Sequence, residues 1–534
     1  MASTDVTLPE KGLVKGTNWW GAFVIGLAGT ILVTGIAPFV VQGTGALGII
    51  LMGVMTIAGC FLCLCLAELA TMWPDRTGGI PGYATESFRP LVGDTVARHI
   101  GGTSGWAYWL GWFPVAPINV ILTGSYLAVL FNFGTGHKID PVGTTWGTPI
   151  GIGLIAICFA LLLVIFIPAW FGIRLGAAFA TFLGVLSMLP ITVLIFLPFF
   201  KPSSLHWGNI AGFHAPPHVA VTATFIMAWF FPILWNVIAM EAAACYVGEC
   251  QGGARDAKIA LTAEGIFGMF IYIMTPVMFV AVLGLALSSA DPLTLYVSFT
   301  QHIFGAGSWV KWFVGIPLVL ALALSVLNAI MGVGRSLYQA AEDGLLPRWF
   351  EQKNKHGVPG NAMAFNVVCS AILVLLGSPL RIYIISNAGY LLSCTLAFGG
   401  YFVYRHLRPD EPRPFRLPTF AKWGALGVFV VWTVIYFWGG WNSPGIVVAK
   451  GQGPGLYLLG LLIVALYAPL YWWRRWQDGK LAARPAAVSV GAGLGGSGAV
   501  PDGQSAAGLS SADGSVADTV GGAESSPGDP PAAR

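Results

Sequence analysis

Long apolar segments recur along nearly the whole chain, and they restrict its fold more than any other feature. A helix needs about 20 apolar residues to cross the hydrocarbon core of a bilayer. Twelve segments are long enough, and they predict transmembrane helices 1 to 12 at about residues 20–45, 47–72, 103–132, 149–168, 175–200, 219–246, 261–288, 309–340, 361–378, 382–404, 423–440 and 454–473. Charged residues make up only 9% of the 534 positions, against about 25% in soluble domains. The sequence therefore predicts an all-α, polytopic membrane protein.

The positive charges are distributed unevenly between the two sets of loops. Cytoplasmic loops of membrane proteins carry an excess of Lys and Arg. All but five of the 27 such residues lie in the proposed inside segments, and the five outside are Lys138, Lys201, Lys311, Arg381 and Lys450. This bias supports an even number of crossings, with both termini in the cytoplasm. We expect a multi-pass protein of the cell membrane.

The ends of the chain are polar and flank a membrane domain over residues 19–475. Residues 1–18 are predicted to be a cytoplasmic segment, without the apolar core and small-residue cleavage site of a signal peptide. Residues 485–534 are rich in Gly, Ala, Ser and Pro and have few large apolar side chains. Such a composition cannot bury a core, so we expect a disordered cytoplasmic tail.

The eight cysteines do not form a metal-binding or disulfide pattern. Cys60, Cys63 and Cys65 are close in sequence, but no His or second Cys pair stands nearby, and their segment is predicted to span the membrane. Free cysteines pack as small apolar residues. Neither a metal nor a cofactor is therefore expected.

Glu241 lies inside the apolar segment of predicted helix 6. A lone charge in hydrocarbon costs a few kcal/mol or more, so an acidic residue at this depth normally faces protein or water and marks a functional site. A titratable group there is also a candidate carrier of a coupling proton. Glu241 is thus the main indication of function in the sequence.

Predicted helix 1 is interrupted by residues that weaken a helix: Gly26, Gly29, Gly35 and Pro38. Proline lacks an amide proton and clashes with the preceding turn, yet it suits the first turn of a new helix. A break between about Thr30 and Ala37, with a second half-helix starting near Pro38, explains these features. Alternatively, the glycines only allow close helix packing.

Predicted helix 6 contains a second candidate break, near Pro232 to Ala239. Two interrupted helices at matching positions in two halves indicate a midplane binding site between inverted repeats. Freed amides and carbonyls are then available to a ligand. The candidate substrate-binding residues at the two breaks are Gly29, Thr30, Thr34, Gly35, Trp235, Asn236 and Ala239. Trp235 can stack on a cation, although ordinary packing explains it equally well.

The remaining polar side chains in apolar segments have two explanations each. Asn119 in predicted helix 3 follows Pro114 and Pro117 and is a further candidate for the binding site, although a structural kink also accounts for this stretch. Interhelical hydrogen bonding accounts equally well for three others: Asn328, Ser386 and Asn387.

Five acidic residues are predicted to lie near the cytoplasmic face: Glu68, Glu249, Glu264, Glu342 and Asp343. Because they are close to the ends of the predicted helices, we expect them to be solvated or paired with Arg. Glu241 differs from them because it lies several residues deeper.

Four stretches, taken in order, resemble motifs of the amino acid–polyamine–organocation permeases. They are Ala67 to Leu69 with Pro74 and Thr77 to Tyr83 ("AEL…P-x-x-GG-x-Y"), Trp235 to Glu241 with the charged loop after it ("W-x-x-x-G-x-E"), Arg335 to Tyr338 with Asp343 to Pro347 ("R-x-L-Y…DG-x-x-P"), and Asn354 to Pro359 ("N-K-x-G-x-P"). The resemblance covers about residues 18 to 404. Its cytoplasmic motif residues are Glu68, Arg335 and Asp343.

The resemblance implies a leucine-transporter-type fold with two inverted five-helix repeats, at about 19–200 and 219–404, and two further helices at about 423–473. It also implies uptake or exchange of amino acids or related amines. In such relatives the broken part of helix 1 binds the substrate carboxylate. The aromatic residue matching Trp235 covers the substrate, and the carboxylate matching Glu241 lies near the cavity.

Three positions depart from the family pattern. The Gly-rich turn of helix 1 corresponds to Ile31-Leu32-Val33 here, and the Gly before the helix 6 acid is Ala239. Some proton-coupled relatives have a Lys in helix 5, where this chain has Ser187-Met188-Leu189-Pro190. Coupling through that amine is excluded, while coupling through Glu241, coupling to sodium, and plain exchange stay open.

We expect a secondary transporter (permease) that moves an amino acid or related organic amine across the lipid bilayer by alternating access, with H⁺ or Na⁺ as the candidate coupling ion. The alternatives are an amino acid or polyamine exchanger and a substrate sensor with a transporter fold. An enzyme is not expected, because the apolar segments contain no HExxH motif, paired acids or Ser–His arrangement. No nucleic-acid partner is expected. The scarcity of deep charges favours a neutral or weakly charged amino acid.

Overall fold

α-Helices form nearly all of the regular structure in the computed structural model, which describes residues 18–74, 79–172, 182, 191–217 and 219–482. The helices are α1 (Trp19–Thr30), α2 (Val33–Thr44), α3 (Leu47–Met72), α4 (Ile80–Trp112), α5 (Val115–Phe131), α6 (Ile152–Phe171), α7 (Ile191–Phe200), α8 (Ala223–Ile238), α9 (Gly253–Leu283), α10 (Leu295–Phe304), α11 (Val310–Glu342), α12 (Gly360–Val374), α13 (Pro379–Leu407), α14 (Ala421–Val434), α15 (Gly440–Ser443), α16 (Gly455–Ala465) and α17 (Tyr467–Ala482). The predicted tail, most of predicted helix 5 and nearly all of the N-terminal segment lie outside the described residues.

Within these ranges, nine helical stretches are long and apolar enough to cross a membrane, and three shorter apolar helices accompany them. They confirm a multi-pass, helical membrane protein. Each of the twelve predicted segments overlaps a described helix, with α1 and α2 together in the first segment and α7 alone in the fifth. The number of crossings and the two inverted repeats stay predictions.

Several helices extend beyond the predicted apolar segments. α4 and α5 belong to one apolar stretch of 52 residues, which begins well before predicted helix 3. Gly93 within α4 has φ +75°, a conformation that side chains other than glycine rarely adopt, so the helix changes direction there. α9 begins at Gly253, eight residues before the predicted start of helix 7 at about residue 261. Glu264, which was predicted to lie near a helix end, therefore lies well inside α9.

Close approach of glycines to neighbouring helices shapes the packing. α13 packs along α4, where a Cβ on Gly389 would lie 2.4 Å from the Ala107 carbonyl oxygen and one on Gly111 would lie 2.5 Å from Tyr390 Cβ. α3 packs along α9, and α5 along α11. Lipid provides no hydrophobic drive for helices to associate, so such small residues stabilise the bundle by letting backbones approach.

A short antiparallel hairpin follows α5. Its strands are β1 (Lys138–Ile139) and β2 (Ile150–Gly151), with Lys138 opposite Gly151. Arg381 at the start of α13 is buried and donates to Thr148 Oγ1 at 2.9 Å and to two backbone carbonyls of the same loop. These bonds fix the hairpin loop to α13.

Candidate functional site

The backbone of predicted helix 1 changes its hydrogen bonding within the predicted range. α1 ends at Thr30 and α2 starts at Val33, and both intervening residues keep right-handed helical conformations. The amide of Leu32 donates to the Gly29 carbonyl at 3.2 Å, an i to i−3 bond of the 3₁₀ type. The interruption is therefore a local tightening of the helix, with little unwinding.

Pro38 does not start the second half-helix, contrary to the prediction. It lies inside α2, five residues after Val33. The 3₁₀ turn lets the helix resume before the proline is reached, so a new start at Pro38 is unnecessary. Its missing amide proton then costs only the bond to the carbonyl four residues earlier, at Thr34.

The second discontinuity is a change of helix type at Ala239, the last position of the predicted range. α8 ends at Ile238, and a 3₁₀ helix continues over Ala239–Glu249, here named the 3₁₀ segment. Its 11 residues far exceed the usual 3₁₀ length of about four. Mid-helix 3₁₀ stretches often mark functional hinges.

Pro232 does not break α8, because neighbouring donors satisfy the carbonyls around it. Its missing amide frees the Ala228 carbonyl, and the Ser443 hydroxyl from α15 donates to that oxygen. Asn236 Nδ2 donates to the Pro232 carbonyl at 3.0 Å. The predicted weakness at Pro232 is therefore compensated by tertiary contacts, and the change of helix type falls seven residues later.

The two discontinuities meet in space. A Cβ on Gly29 would lie 1.8 Å from the Ala239 carbonyl oxygen, so only glycine allows this approach. The Tyr272 hydroxyl from α9 lies 2.7 Å from the Asn236 carbonyl oxygen and 3.2 Å from that of Gly29. A single phenol thus joins both interrupted helices. Three of the candidate residues, Gly29, Asn236 and Ala239, are brought together as expected for one site.

Trp235 and Gly35 meet through Tyr383 of α13, which the sequence did not single out. The rings of Trp235 and Tyr383 are 4.8 Å apart, and Trp235 Nε1 donates to the Gly111 carbonyl at 3.0 Å. A Cβ on Gly35 would lie 2.2 Å from the Tyr383 hydroxyl oxygen and 3.3 Å from the Leu122 side chain. Trp235 is therefore fixed on one edge, and α2, α5 and α13 converge beside it.

Several buried polar atoms around these helices have no hydrogen-bond partner among the described residues. They include Thr30 Oγ1, both amide atoms of Asn119, Asn236 Oδ1 and the hydroxyl of Tyr383. Thr34 differs, because its hydroxyl donates to the Ile31 carbonyl at 2.7 Å. Leaving a buried polar group unpaired costs about 1–3 kcal/mol. A polar ligand or bound water would recover that energy.

Glu241 lies in a cage of aromatic side chains from α4 and α13. Its Oε1 accepts hydrogen bonds from Tyr390 at 2.7 Å, Tyr108 at 2.8 Å and Trp112 Nε1 at 3.3 Å. The ring of Tyr390 is 5.7 Å from that of Tyr108 and 6.4 Å from that of Trp235. All three donors are neutral, so they orient the carboxyl group without cancelling a charge on it.

The second oxygen of Glu241 differs from the first in its surroundings. Oε2 is buried and has no hydrogen-bond partner within the described part of the chain. A buried carboxyl group with one hydrogen-bonded oxygen, one oxygen unpaired among the described residues, and aromatic rings around it suits a cationic partner such as an ammonium group. The sequence indicated the acid and Trp235, but the tyrosines of α4 and α13 carried no signal of their own.

Glu264 is a second acid at depth, and the prediction that it is solvated or paired with Arg was wrong. It is fully buried in α9, 11 residues after the helix starts, or about 16 Å along the axis. Oε2 accepts from the Ala243 amide at 2.9 Å, and Oε1 has no partner among the described residues. The early start of α9 explains the error.

Glu68 is paired with Arg, but it is buried. Its Oε2 accepts from Tyr401 at 2.9 Å and from the Leu417 amide at 2.8 Å. Arg405 Nη1 lies 3.4 Å from Oε2, and Arg413 Nε lies 3.0 Å from Oε1. The cluster ties the end of α3 to the end of α13 and the loop after it.

The other two cytoplasmic motif residues lie on α11 and at its end. Arg335 is half-buried, and Asp343 is exposed at the helix C-cap, where its carbonyl accepts from Arg98 at 2.9 Å. Glu68 pairs with neither of them in the described structure.

A multi-pass helical protein whose two interrupted helices meet at buried, unpaired polar groups has the architecture of a solute transporter. A family model described as amino acid permease matches residues 18–466. The chain therefore belongs to the amino acid permease family, within the superfamily that its motifs resemble.

Distant relatives carry transporter names. Polyamine transporter PUT1 of Oryza sativa subsp. japonica is 23% identical over 363 residues, which cover 66% of this chain and 60% of that relative. Uncharacterized transporter lpg1691 of Legionella pneumophila is 24% identical over 380 residues, covering 66% of this chain and 74% of the relative. Cationic amino acid transporter 2, vacuolar, of Arabidopsis thaliana is 24% identical over 181 residues, covering 34% and 28%. The chain thus spans less than two thirds of the rice protein. These names support a transporter and not an enzyme.

Proposed function

We propose that this protein is a secondary transporter of an amino acid or polyamine, with the substrate bound where the two interrupted helices meet. The observation that carries the proposal is the contact between Gly29 and Ala239, bridged by the Tyr272 hydroxyl. The two helix discontinuities meet beside buried side-chain groups that have no hydrogen-bond partner among the described residues, and such a place suits a polar ligand. The family match and the names of the relatives support the same class of function.

The substrate carries an ammonium group, which pairs with Glu241 in this proposal. Glu241 Oε2 is buried and has no hydrogen-bond partner among the described residues, while three neutral donors bind Oε1. The Trp235 and Tyr390 rings beside it add cation–π attraction, worth about 0.5–2 kcal/mol. The sequence predicted a neutral or weakly charged solute, because few charged residues were expected deep in the membrane. In the structure, Glu241 is fully buried and has no arginine partner among the described residues, and relatives named as polyamine and cationic amino acid transporters support an amine.

A carboxylate on the substrate fits the discontinuity in helix 1. Thr30 Oγ1 and the Asn119 amide group are buried and unpaired among the described residues. Hydroxyl and amide donors recognise a carboxylate. Binding there distinguishes an amino acid from a polyamine, which has no such group. An uptake screen that includes both classes therefore decides which contacts the substrate uses.

Alternating access in this proposal relies on the two discontinuities as hinges. Gly29 and Ala239 touch, so movement of α1 against the 3₁₀ segment breaks that contact and the shared Tyr272 bond together. One bond of this kind contributes about 1 kcal/mol, small enough to be broken and re-formed in each transport cycle. The cell membrane as location, with both termini in the cytoplasm, belongs to the same proposal.

Counterflow into proteoliposomes tests the proposal. Purified full-length protein is reconstituted, vesicles are loaded with unlabelled amino acids or polyamines, and entry of a trace of the same labelled solute is followed. We expect transient accumulation for at least one amine-bearing solute and none in protein-free vesicles. Binding of a solute without any counterflow would favour the sensor alternative. Omission of sodium and of the pH difference distinguishes symport from plain exchange.

A further inference from the structure

Glu264 lies against α1 with almost no space between them. A Cβ on Gly26 would lie 2.4 Å from Glu264 Oε2 and 2.8 Å from Oε1. The carboxyl group therefore lies flat on the α1 backbone, at the one glycine that gives it room. On the other side it accepts a hydrogen bond from Ala243 of the 3₁₀ segment. Glu264 thus sits between the two elements that the proposed transport cycle moves apart.

No positively charged side chain accompanies Glu264 in the described structure. Among the described residues its polar partner is one backbone amide, and the buried Oε1 has no hydrogen-bond partner. The titratable groups that face it are Glu241 and Cys245 of the 3₁₀ segment, Cys63 of α3 and Tyr272 of α9. α1 and α2 carry no titratable side chain.

An ionised carboxylate in these surroundings is costly. Isolated buried charges without a paired cation cost several kcal/mol or more, and a neutral acid avoids that cost. When α1 moves away from the 3₁₀ segment, water reaches the carboxyl group and solvates its charge. The closed arrangement therefore holds the neutral acid, and the open arrangement admits the anion.

We propose that Glu264 is a proton-binding site that couples proton movement to the opening of α1, separate from the substrate's partner Glu241. This inference rests on the proposed transport function and adds the coupling ion to it. With α1 closed, Glu264 is a carboxylic acid. When α1 opens, its O–H bond breaks, the proton passes to an entering water molecule, and the carboxylate keeps the electron pair. Re-protonation from water on the opposite side accompanies closure and completes the cycle.

The position of Glu264 separates its role from that of Glu241. Glu241 faces α4 and α13, through Tyr108 and Tyr390. Glu264 faces α1 and the other side of the 3₁₀ segment, at Gly26 and Ala243. Removing the Glu264 charge therefore leaves the substrate's partner in place. The two acids also lie close enough to interact electrostatically, so the Glu264→Gln and Glu241→Gln variants are compared with each other as well as with the wild type.

Infrared spectroscopy tests proton binding directly. pH-difference spectra of the purified protein show a carboxylic-acid band for each buried acid that titrates. We expect one band to disappear in Glu264→Gln and a different one in Glu241→Gln. Wild-type and E264Q spectra that are the same would overturn the proposal. This readout needs no transport, so it decides the role of Glu264 even if the proposed function fails.

Transport then tests coupling, with labelled lysine and labelled spermidine as probes and the membrane potential clamped to zero. One pH unit across the membrane supports about tenfold accumulation at one proton per substrate. We expect E264Q to retain measurable counterflow at equal pH and to lose this accumulation. The proposed coupling would be refuted if E264Q accumulated substrate as well as the wild type does. It would also be refuted if the pH gradient had no effect on accumulation by the wild type. Absence of counterflow in the wild type would instead refute the proposed function.

A conservative variant guards against a folding defect. Should E264Q fail to purify as a monodisperse protein, Glu264→Asp keeps an acid that is one carbon shorter. We expect it to retain the carboxylic-acid band at a shifted pH midpoint, with accumulation reduced but measurable. A midpoint and accumulation equal to those of the wild type would contradict the proposal, because the contact with Ala243 depends on side-chain length.

Discussion

The contact between Gly29 and Ala239 makes a strong prediction about a single methyl group. In Gly29→Ala, the added Cβ would lie 1.8 Å from the Ala239 carbonyl oxygen. Ordinary contact needs well over 3 Å, so α1 and the 3₁₀ segment must separate by more than 1 Å. Forced overpacking costs about 1–3 kcal/mol, and weakening the shared Tyr272 bond adds about 1 kcal/mol. We therefore expect the substitution to destabilise the closed arrangement by about 2–4 kcal/mol.

The assay is counterflow together with thermal unfolding of the purified protein. A loss of this size lowers the population of the closed arrangement by about 30-fold or more. We expect G29A to unfold at a lower temperature than the wild type and to transport at most a few per cent as fast. Gly53→Ala is the matched control, since a Cβ on Gly53 of α3 would meet nothing within 4 Å. That substitution should be neutral or stabilise by up to about 1 kcal/mol. Equal behaviour of G29A and G53A would refute the reasoning.

Three further predictions concern single side chains. Tyr272→Phe removes the hydroxyl that joins both discontinuities, and we expect counterflow to slow by up to about tenfold with little change in expression; unchanged counterflow would argue against the shared bond. Glu68→Gln leaves two buried arginines without their carboxylate, which should lower the free energy of unfolding by about 3–5 kcal/mol. We expect a lower yield and a lower unfolding temperature, whereas Glu342→Gln, at an exposed glutamate, should leave both unchanged. Trp235→Phe keeps the ring but loses the bond to Gly111, so substrate affinity should fall several-fold while the unfolding temperature changes little; wild-type affinity would assign Trp235 to packing.

The membrane-spanning helices could be predicted because their length and apolar composition follow directly from bilayer thickness. The positions of the discontinuities were predicted to within a few residues, since Gly29 and Ala239 fall at or beside the stretches that weaken a helix. The prolines led to wrong predictions, because a donor far along the chain can replace the backbone hydrogen bond that a proline cannot make. Ser443 lies 215 residues from Ala228, whose carbonyl it satisfies, and no local pattern reveals that partner.

The acidic residues show a second limit of sequence reasoning. Glu241 was found because apolar residues surround it on both sides. Glu264 was missed because polar residues precede it, which placed the start of its helix too late. Glu68 was expected to be solvated or paired with Arg, but its arginine partners lie more than 330 residues away. The aromatic cage around Glu241 depends on α4 and α13 packing together, which tertiary structure alone establishes.

The proposed pairing of the substrate's ammonium group with Glu241 can be tested by comparing an amine with its analogue that lacks the amino group. Counterflow is inhibited with the transported amine and with its analogue lacking the amino group, in the wild type and in Glu241→Gln. A charged hydrogen bond contributes about 1.5–3 kcal/mol, so the wild type should prefer the amine by about tenfold to a hundredfold. We expect this preference to fall towards one in E241Q. The same preference in both proteins would contradict it.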